Sequence, residues 1–223
     1  MQIFDIIGPV MIGPSSSHTA GACRLGRVAR KILADRPIKA RIGLCGSFAQ
    51  TYRGHGTDKA LIAGILDMHT YDPRLRNALT LAGNEGLEYE FYLTTIPGAH
   101  PNTAIIELTG ETGSTCHITG ASIGGGNIIV TNINGMDVQF TGQYNTLIVL
   151  HKDTPGVIAA VTNAMAGSGT NIGNFRLSRP QKGGEAVMTI EVDGDVSDSM
   201  IRWLRELNHI TGCLLYTSPS PRD

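Results

Sequence analysis

Residues 146–166, TLIVLHKDTPGVIAAVTNAMA, are the stretch that decides the fold of the C-terminal half of the chain. The first five residues are apolar or β-branched, which is typical of a buried strand. Pro155 and Gly156 interrupt this pattern, and the alanine-rich run that starts at Gly156 predicts a helix to about Ala166. The stretch therefore predicts a strand that passes through a short turn into a helix.

The residues that follow continue this alternation. Their patterns predict strands near 171–178 and over 186–192, and a helix over 198–208. The resulting order β-α-β-β-α requires one more strand after Ile210. We therefore expect a β-α-β-β-α-β domain over residues 145–212.

The end of the chain, residues 213–223, has the sequence CLLYTSPSPRD and resembles translated adapter sequence, so we expect it to be a non-native tail. Its Ser-Pro-Ser-Pro segment cannot pair inside a sheet. Residues 213–216 are apolar and prone to form strands. We expect them to form a short substitute strand that ends before Pro219, with the remaining residues disordered.

The N-terminal half predicts a mixed α/β domain over residues 1–142. A helical period begins near Thr19 and ends before Pro37, and Thr57 offers an N-cap for a second helix. Strands are predicted over 40–46, 89–95, 104–109, 115–119, 127–132 and 136–141. The Asn134-Gly135 pair between the last two strands is a strong hairpin signal. The fold class is therefore α/β (α+β), with two domains.

Composition excludes several classes of function. A net charge of -1 with no long basic run gives no footprint for nucleic acid or an anionic membrane, and no apolar run could span a bilayer. The apolar start lacks the basic region of a signal peptide, so we expect a cytoplasmic protein. The four cysteines are far apart in sequence and form no C-x-x-C pair, so we expect no metal site on this chain.

The segment GPSSSHT, residues 13–19, places hydroxyl groups and backbone N–H groups at a helix start. Such a start favours a carboxylate or phosphate, because its N–H groups lack partners and the helix dipole is positive there. Simple N-capping by one serine is the alternative. The candidate substrate- or anion-binding residues are Ser15, Ser16, Ser17, His18 and Thr19.

Two later loops each present one histidine between turn-forming residues. GHGTDK, residues 54–59, contains His55, and PGAHPN, residues 97–102, contains His100 and Asn102. No helix or strand carries two histidines at the spacing typical of zinc ligands. The histidines are therefore better suited to acid–base catalysis than to zinc binding. His55 and His100 are therefore the candidate catalytic residues, and Asn102 is a further candidate for binding substrate.

GPSSSHT, GHGTDKA and HPNT, in this order and spacing, resemble the β-type region of the iron–sulfur-dependent L-serine dehydratases. The resemblance covers residue 1 to about residue 141, and Thr103 stands where the family often has glycine. It implies a lyase of amino-acid catabolism and gluconeogenesis that converts L-serine to pyruvate and ammonia. It also implies a [4Fe-4S] cluster with its cysteine ligands on a separate α subunit, because this sequence lacks the α-type region.

The same resemblance gives roles to individual residues. His55 and His100 match histidines proposed as the base and the hydroxyl-side acid of family members. His18 and the three serines before it match the loop that lines the same interface. Half of the active site is therefore expected on the partner.

LHKDTPGV, residues 150–157, together with Asn171 and Ile172, is similar to ACT domains. This similarity implies a ferredoxin-like fold and a ligand pocket at a pair of domains, hence a homodimer contact. The implied ligand contacts are His151, Asp153 and Asn171. Asp153 stands where asparagine is common and would favour the ammonium group of an amino acid. A module that only dimerises is the alternative.

The N-terminal domain also resembles the allosteric substrate-binding domain of some phosphoglycerate dehydrogenases. The alternative function is therefore a non-catalytic regulator that binds an anion and an amino acid. Turnover that depends on His55 and His100 would discriminate between the two functions.

Overall fold

The structure is a computed structural model that describes residues 10–217. The chain divides into two compact units, and the division falls between Asn134 and Gly135. Both residues have positive φ, 51° and 81°, as the expected hairpin turn requires. The domain limits 1–142, 145–212 and 213–223 remain a proposal.

The first unit contains the helix that the sequence predicts after Thr19. A π-helical turn, Ser16–Gly21, leads directly into helix α1, Ala22–Leu33. The face of α1 that carries Leu25, Val28 and Ile32 is buried, which confirms the predicted helical period. The other helices are α2 (Gly46–His55), α3 (Thr57–Ile65), a 3₁₀-helix (Pro73–Asn77) and α4 (Ala78–Asn84).

The predicted strands all form, with slightly different ends. They are β1 (Pro37–Leu44), β2 (Glu88–Leu93), β3 (Thr103–Gly110), β4 (Thr115–Gly124), β5 (Asn127–Ile133) and β6 (Met136–Phe140). Their order in the sheet is β2-β1-β3-β4-β5-β6. β1 pairs in parallel with β2 and antiparallel with β3, so this is a mixed sheet.

Two expectations for residues 46–58 are wrong. The loop expected at residues 54–59 does not form: Gly54 and His55 end helix α2, which buries Phe48 completely, and α3 begins at Thr57. Burial of this ring offsets the poor helix propensity of the glycines at both ends. Thr57 is not the N-cap of α3: Gly56, with φ of 71°, occupies that position, and the Thr57 side chain lies inside the core.

Helices α1 and α3 cross where each carries a glycine. A Cβ on Gly26 would lie 2.3 Å from the Leu61 carbonyl oxygen, and one on Gly64 would lie 2.0 Å from that of Cys23. The Cys23 thiol also donates to the Met68 carbonyl, at 3.3 Å. The two backbones are therefore in direct contact, which only residues without a side chain permit.

The second unit has the expected β-α-β-β-α-β order. The elements of this order, which follow β6, are β7 (Asn145–Lys152), α5 (Val157–Gly167), β8 (Asn171–Ser178), β9 (Glu185–Asp193), α6 (Asp198–Glu206) and β10 (Ile210–Tyr216). The strands form an antiparallel sheet in the order β10-β7-β9-β8. Apolar residues of both helices and of the sheet form one buried cluster.

The final strand confirms the expectation that residues 213–216 would complete this sheet. β10 pairs with β7, and Tyr216 lies opposite Thr146. Cys213 belongs to the same buried cluster as Met200 and Leu204 of α6. The strand ends before Pro219, as expected. The residues expected to be disordered include 218–223, which lie outside the described residues, and the non-native origin of the tail stays a prediction.

Replacing Gly64 by alanine should destabilise the first unit. The new Cβ would meet the Cys23 carbonyl oxygen at 2.0 Å, and a backbone atom cannot rotate away. We expect Gly64→Ala to lower the free energy of unfolding by roughly 1–3 kcal/mol, the usual cost of overpacking a core. Urea denaturation measures this change.

Gly83→Ala in α4 is the matched control, because a Cβ at Gly83 would meet nothing within 4 Å. This variant should leave stability unchanged or raise it by up to about 1 kcal/mol, because alanine is the better helix former. Equal destabilisation by both substitutions would contradict the close crossing of α1 and α3.

Candidate active site

The turn before α1 is held by Ser15. Its hydroxyl accepts a hydrogen bond from the His18 backbone N–H at 3.2 Å, and its carbonyl accepts one from the Thr19 N–H at 2.8 Å. Ser15 therefore caps the turn, as the capping alternative proposed. Ser16 and Ser17 lie half-buried within the turn.

The structure brings His18 and His55 together, although 36 residues separate His55 from the neighbouring Thr19. The two imidazole rings meet edge to face, with their centroids 4.8 Å apart. The Thr19 hydroxyl also lies 3.5 Å from the His55 carbonyl oxygen. The first two sequence motifs therefore form one site.

His18 is also anchored by α2. Its Nε2 lies 3.1 Å from the Ser47 hydroxyl, and its ring packs edge-on against Phe48, with centroids 5.3 Å apart. Sequence reasoning missed Ser47. A serine directly after Gly46 could have indicated a helix start, but the glycine-rich pattern around it is more typical of a loop.

The pKa of His18 is lowered from its usual value, first by burial and then by the charge of His55. Two imidazolium ions this close would repel each other, and burial removes the water that would stabilise a charge. His18 is therefore a neutral imidazole near pH 7. A neutral imidazole can accept a proton, so the pair can take part in acid–base chemistry.

His100 lies on the loop before β3, and its ring is oriented by Asn102. The Asn102 backbone N–H donates to His100 Nδ1 at 3.1 Å, so a neutral His100 carries its proton on Nε2. The Asn102 side chain donates to the Ser122 carbonyl at 3.4 Å. Within residues 10–217, no hydrogen bond or ring contact joins His100 to His18 or His55.

The loop of His100 nevertheless packs against the start of α2. The Phe48 N–H donates to the Pro101 carbonyl at 3.3 Å. A Cβ at Gly46, whose φ is 52°, would lie 2.7 Å from the same oxygen. This contact holds the His100 loop beside Ser47, and so beside the residue that anchors His18.

The described residues of this chain do not fit an iron–sulfur cluster. In residues 10–217, no group of three or more potential ligands lies close enough together to hold a metal ion. All four cysteines are buried free thiols. Burial raises the pKa of Cys23 and of Cys116 to about 12, so these two are protonated thiols and not metal-binding thiolates.

The second unit holds His151 in its interior. His151 is 1% exposed, and its Nδ1 lies 2.8 Å from the Lys152 carbonyl, to which it must donate. In the neutral ring Nε2 is then an acceptor, and this buried atom has no partner in the described part of the chain. An unpaired buried acceptor is costly, which favours a role for His151 in ligand binding.

Asp153 and Asn171 do not meet within one chain. The Asp153 carboxylate pairs with Arg179 and accepts from the Gly183 N–H at 2.9 Å, at one end of the sheet. Asn171 donates to Asp193 at 2.6 Å, at the other end. Their shared role in a ligand pocket stays a prediction that requires a second copy of the domain.

The comparisons with known proteins give both units a family. The family model described as "Serine dehydratase beta chain" matches residues 2–133, and the "AHAS small subunit-like ACT domain" model matches residues 147–212. The chain therefore belongs to the serine dehydratase beta chain family, with an ACT domain as its second unit. None of the helices between residues 10 and 217 has the length and hydrophobicity that a membrane crossing needs.

Individual relatives are similar over almost the whole chain. The chain is 45% identical to the probable L-serine dehydratase beta chain of Bacillus subtilis, with 94% of both chains covered. It is 37% identical to the L-serine dehydratase beta chain of Peptoniphilus asaccharolyticus, over 88% of this chain and 89% of that one. D-3-phosphoglycerate dehydrogenase of Bacillus subtilis is 26% identical over 72% of this chain, which covers 31% of that enzyme.

Replacing His55 by glutamine should raise the pKa of His18. The substitution removes the smaller cause of the lowered pKa, while burial, the larger cause, remains, so the value should stay below the usual 6.5. NMR titration of the His18 ring protons measures the change. His209→Asn in the second unit is the control and should leave the pKa of His18 unaltered.

The same shift makes the stability of the first unit depend on pH. The unfolded chain binds a proton at His18 more readily than the folded chain does. The free energy of unfolding therefore begins to fall below about pH 6.5, the pKa of an ordinary histidine, and continues to fall until the pH reaches the lowered pKa of His18 in the folded chain. His55→Gln should reduce this loss. An unchanged His18 titration in His55→Gln would contradict the proximity of the two rings.

Proposed function

We propose that this chain is the β subunit of a two-chain, cytoplasmic L-serine ammonia-lyase, which converts L-serine to pyruvate and ammonia. The observation that carries the proposal is the His18–His55 contact, which joins two separate motifs at one open site. The printed names of the two beta-chain relatives support the same activity. The [4Fe-4S] cluster implied by the resemblance would be held by an α subunit, since the residues of this chain do not fit it.

The reaction requires two proton transfers. The α-proton and the hydroxyl group of L-serine leave as water, and the aminoacrylate product then takes up water to give pyruvate and ammonia. One base must accept the α-proton, and one acid must protonate the leaving hydroxyl. Imidazole can serve in both roles near neutral pH.

We assign the base to His55 and the acid to His100. His55 is exposed, and its neighbour His18 is kept neutral by burial and by His55 itself. His100 is exposed as well, and its Nε2 carries the proton when the ring is neutral because Nδ1 accepts from Asn102. His18 and Ser47 act as positioning residues for His55.

Loss of either imidazole should lower turnover in the assembled enzyme. With an α subunit co-expressed anaerobically, we expect His55→Gln and His100→Gln each to lower kcat for pyruvate formation about a hundredfold or more. His209→Asn, a histidine outside the site, should retain the wild-type kcat.

The α subunit alone should be inactive. If the α subunit without this chain formed pyruvate as fast as the pair does, the chain would not be part of the catalyst. A wild-type kcat in both His55→Gln and His100→Gln would reject the assigned roles and leave only a structural role for the site.

A second candidate function is regulation without catalysis. The similarity to D-3-phosphoglycerate dehydrogenase over 72% of the chain favours it. In that case the assembled enzyme with both His55→Ala and His100→Ala would keep the wild-type kcat. Only the degree to which anions activate the enzyme would change. The two candidates therefore predict opposite results for the same variant.

For the ACT domain we propose an amino-acid site between two copies of the chain, formed by His151, Asp153 and Asn171. The buried, unpaired Nε2 of His151 supports a polar ligand there. The placement of Asp153 and Asn171 at opposite ends of the sheet supports a homodimeric site, because a second copy could bring the two residues together.

A further inference from the structure

Ser122 on β4 contacts both of the segments that carry the candidate histidines. Its backbone N–H donates to the Asn102 carbonyl at 3.0 Å, and its own carbonyl accepts from the Asn102 side chain at 3.4 Å. The Asn102 backbone N–H in turn donates to His100 Nδ1 at 3.1 Å. The backbone of Ser122 therefore holds the residue that orients the ring of His100.

The side chain of Ser122 packs against the turn that carries His18. A Cβ on Gly21, the last residue of that turn, would lie 2.0 Å from the Ser122 Oγ and 2.6 Å from its Cβ. Gly21 has a φ of -61° and a ψ of -42°, ordinary helical values that any residue can adopt. The packing of Ser122, and not the backbone conformation, therefore explains why position 21 carries no side chain.

The hydroxyl of Ser122 makes no hydrogen bond of its own. Ser122 is completely buried, and its Oγ has no hydrogen-bond partner within residues 10–217. An unpaired buried hydroxyl is costly, so the contribution of this side chain is the space that it fills beside Gly21. Because protein interiors are closely packed, these atoms transmit a displacement of one segment to the other.

The loop of His100 is also held at a second place, the start of α2. The Phe48 N–H donates to the Pro101 carbonyl, and α2 carries Ser47, which lies 3.1 Å from His18 Nε2. The loop is therefore held from two sides, by α2 and by β4. A change at Ser122 should shift the loop relative to the turn of His18 without releasing it.

We propose that Ser122 is a positioning residue that sets the distance between His100 and the His18–His55 pair. The catalytic consequence rests on the proposed function, in which His55 accepts the α-proton and His100 protonates the leaving hydroxyl of the same substrate. A displacement of about 1 Å between catalytic groups can lower turnover by about a hundredfold. Ser122 acts through its neighbours, because its side chain is fully buried.

NMR spectra of the isolated full chain test the contact. In Gly21→Ala the new Cβ should push the turn away from β4, so we expect the ring signals of both His18 and His100 to shift. In the double variant Gly21→Ala, Ser122→Gly, the nearest atom of residue 122 to the new Cβ is its Cα, at 3.6 Å, which is an ordinary contact. The double variant should therefore return both sets of signals to those of Ser122→Gly alone.

Gly110→Ala is the matched control, because it overpacks the same sheet at the end of β3 that is remote from the His100 loop. A Cβ there would lie 2.3 Å from the Ser114 Oγ and 2.1 Å from an Asp35 carboxylate oxygen. Gly21→Ala and Gly110→Ala should both lower the stability of the unit. Only Gly21→Ala should shift the ring signals of His18 and His100.

The assembled enzyme measures the catalytic consequence. With an α subunit co-expressed anaerobically, we expect Gly21→Ala to lower kcat for pyruvate formation about tenfold, because the two proton-transfer groups no longer meet one substrate correctly. The double variant should recover to within about twofold of the kcat of Ser122→Gly. Gly110→Ala should keep the wild-type kcat.

The inference is overturned if Gly21→Ala shifts the signals of His18 but not those of His100, if the double variant keeps the shifted signals, or if both signals shift while kcat is unchanged. If Gly21→Ala does not fold, the double variant must fold, and its failure to do so also overturns the inference. A wild-type kcat in both His55→Gln and His100→Gln rejects the proposed function instead. The NMR result does not depend on that outcome, because no α subunit is present.

Discussion

The close crossing of α1 and α3 is the constraint on which the candidate site depends. Gly26 and Gly64 let the two backbones touch, so the helices pack at a distance that any side chain at these positions would prevent. α1 continues back into the turn that holds His18, and α3 follows His55 directly. Fixing one helix on the other therefore fixes the two histidines at 4.8 Å, although they come from separate motifs.

The electrostatics of the site follow from this packing. Burial and the nearby His55 keep His18 neutral, and Ser47 holds its ring, so one histidine positions the other. His100 is oriented separately, by a backbone N–H of its own loop. The chain thus presents two exposed imidazoles on an ordered scaffold, while its cysteines are buried thiols. This arrangement is suited to one half of a shared active site.

Much of this could be predicted from the sequence, because the patterns involved are local. The period of α1, the Asn134-Gly135 turn and the β-α-β-β-α-β order each depend on neighbouring residues. Helix α2 was missed because its glycines suggested a loop, and the burial of Phe48 is a tertiary effect. Ser47 was missed with it.

The proposed function requires that His55 of this chain reach the substrate in the assembled enzyme. A crystal structure of the α–β complex with L-serine bound measures this directly. We predict that an imidazole nitrogen of His55 lies within about 3.5 Å of the serine α-carbon, or reaches it through one bridging water. His18 should remain in contact with His55 and with Ser47. Bound L-serine remote from both His55 and His100 would contradict the account.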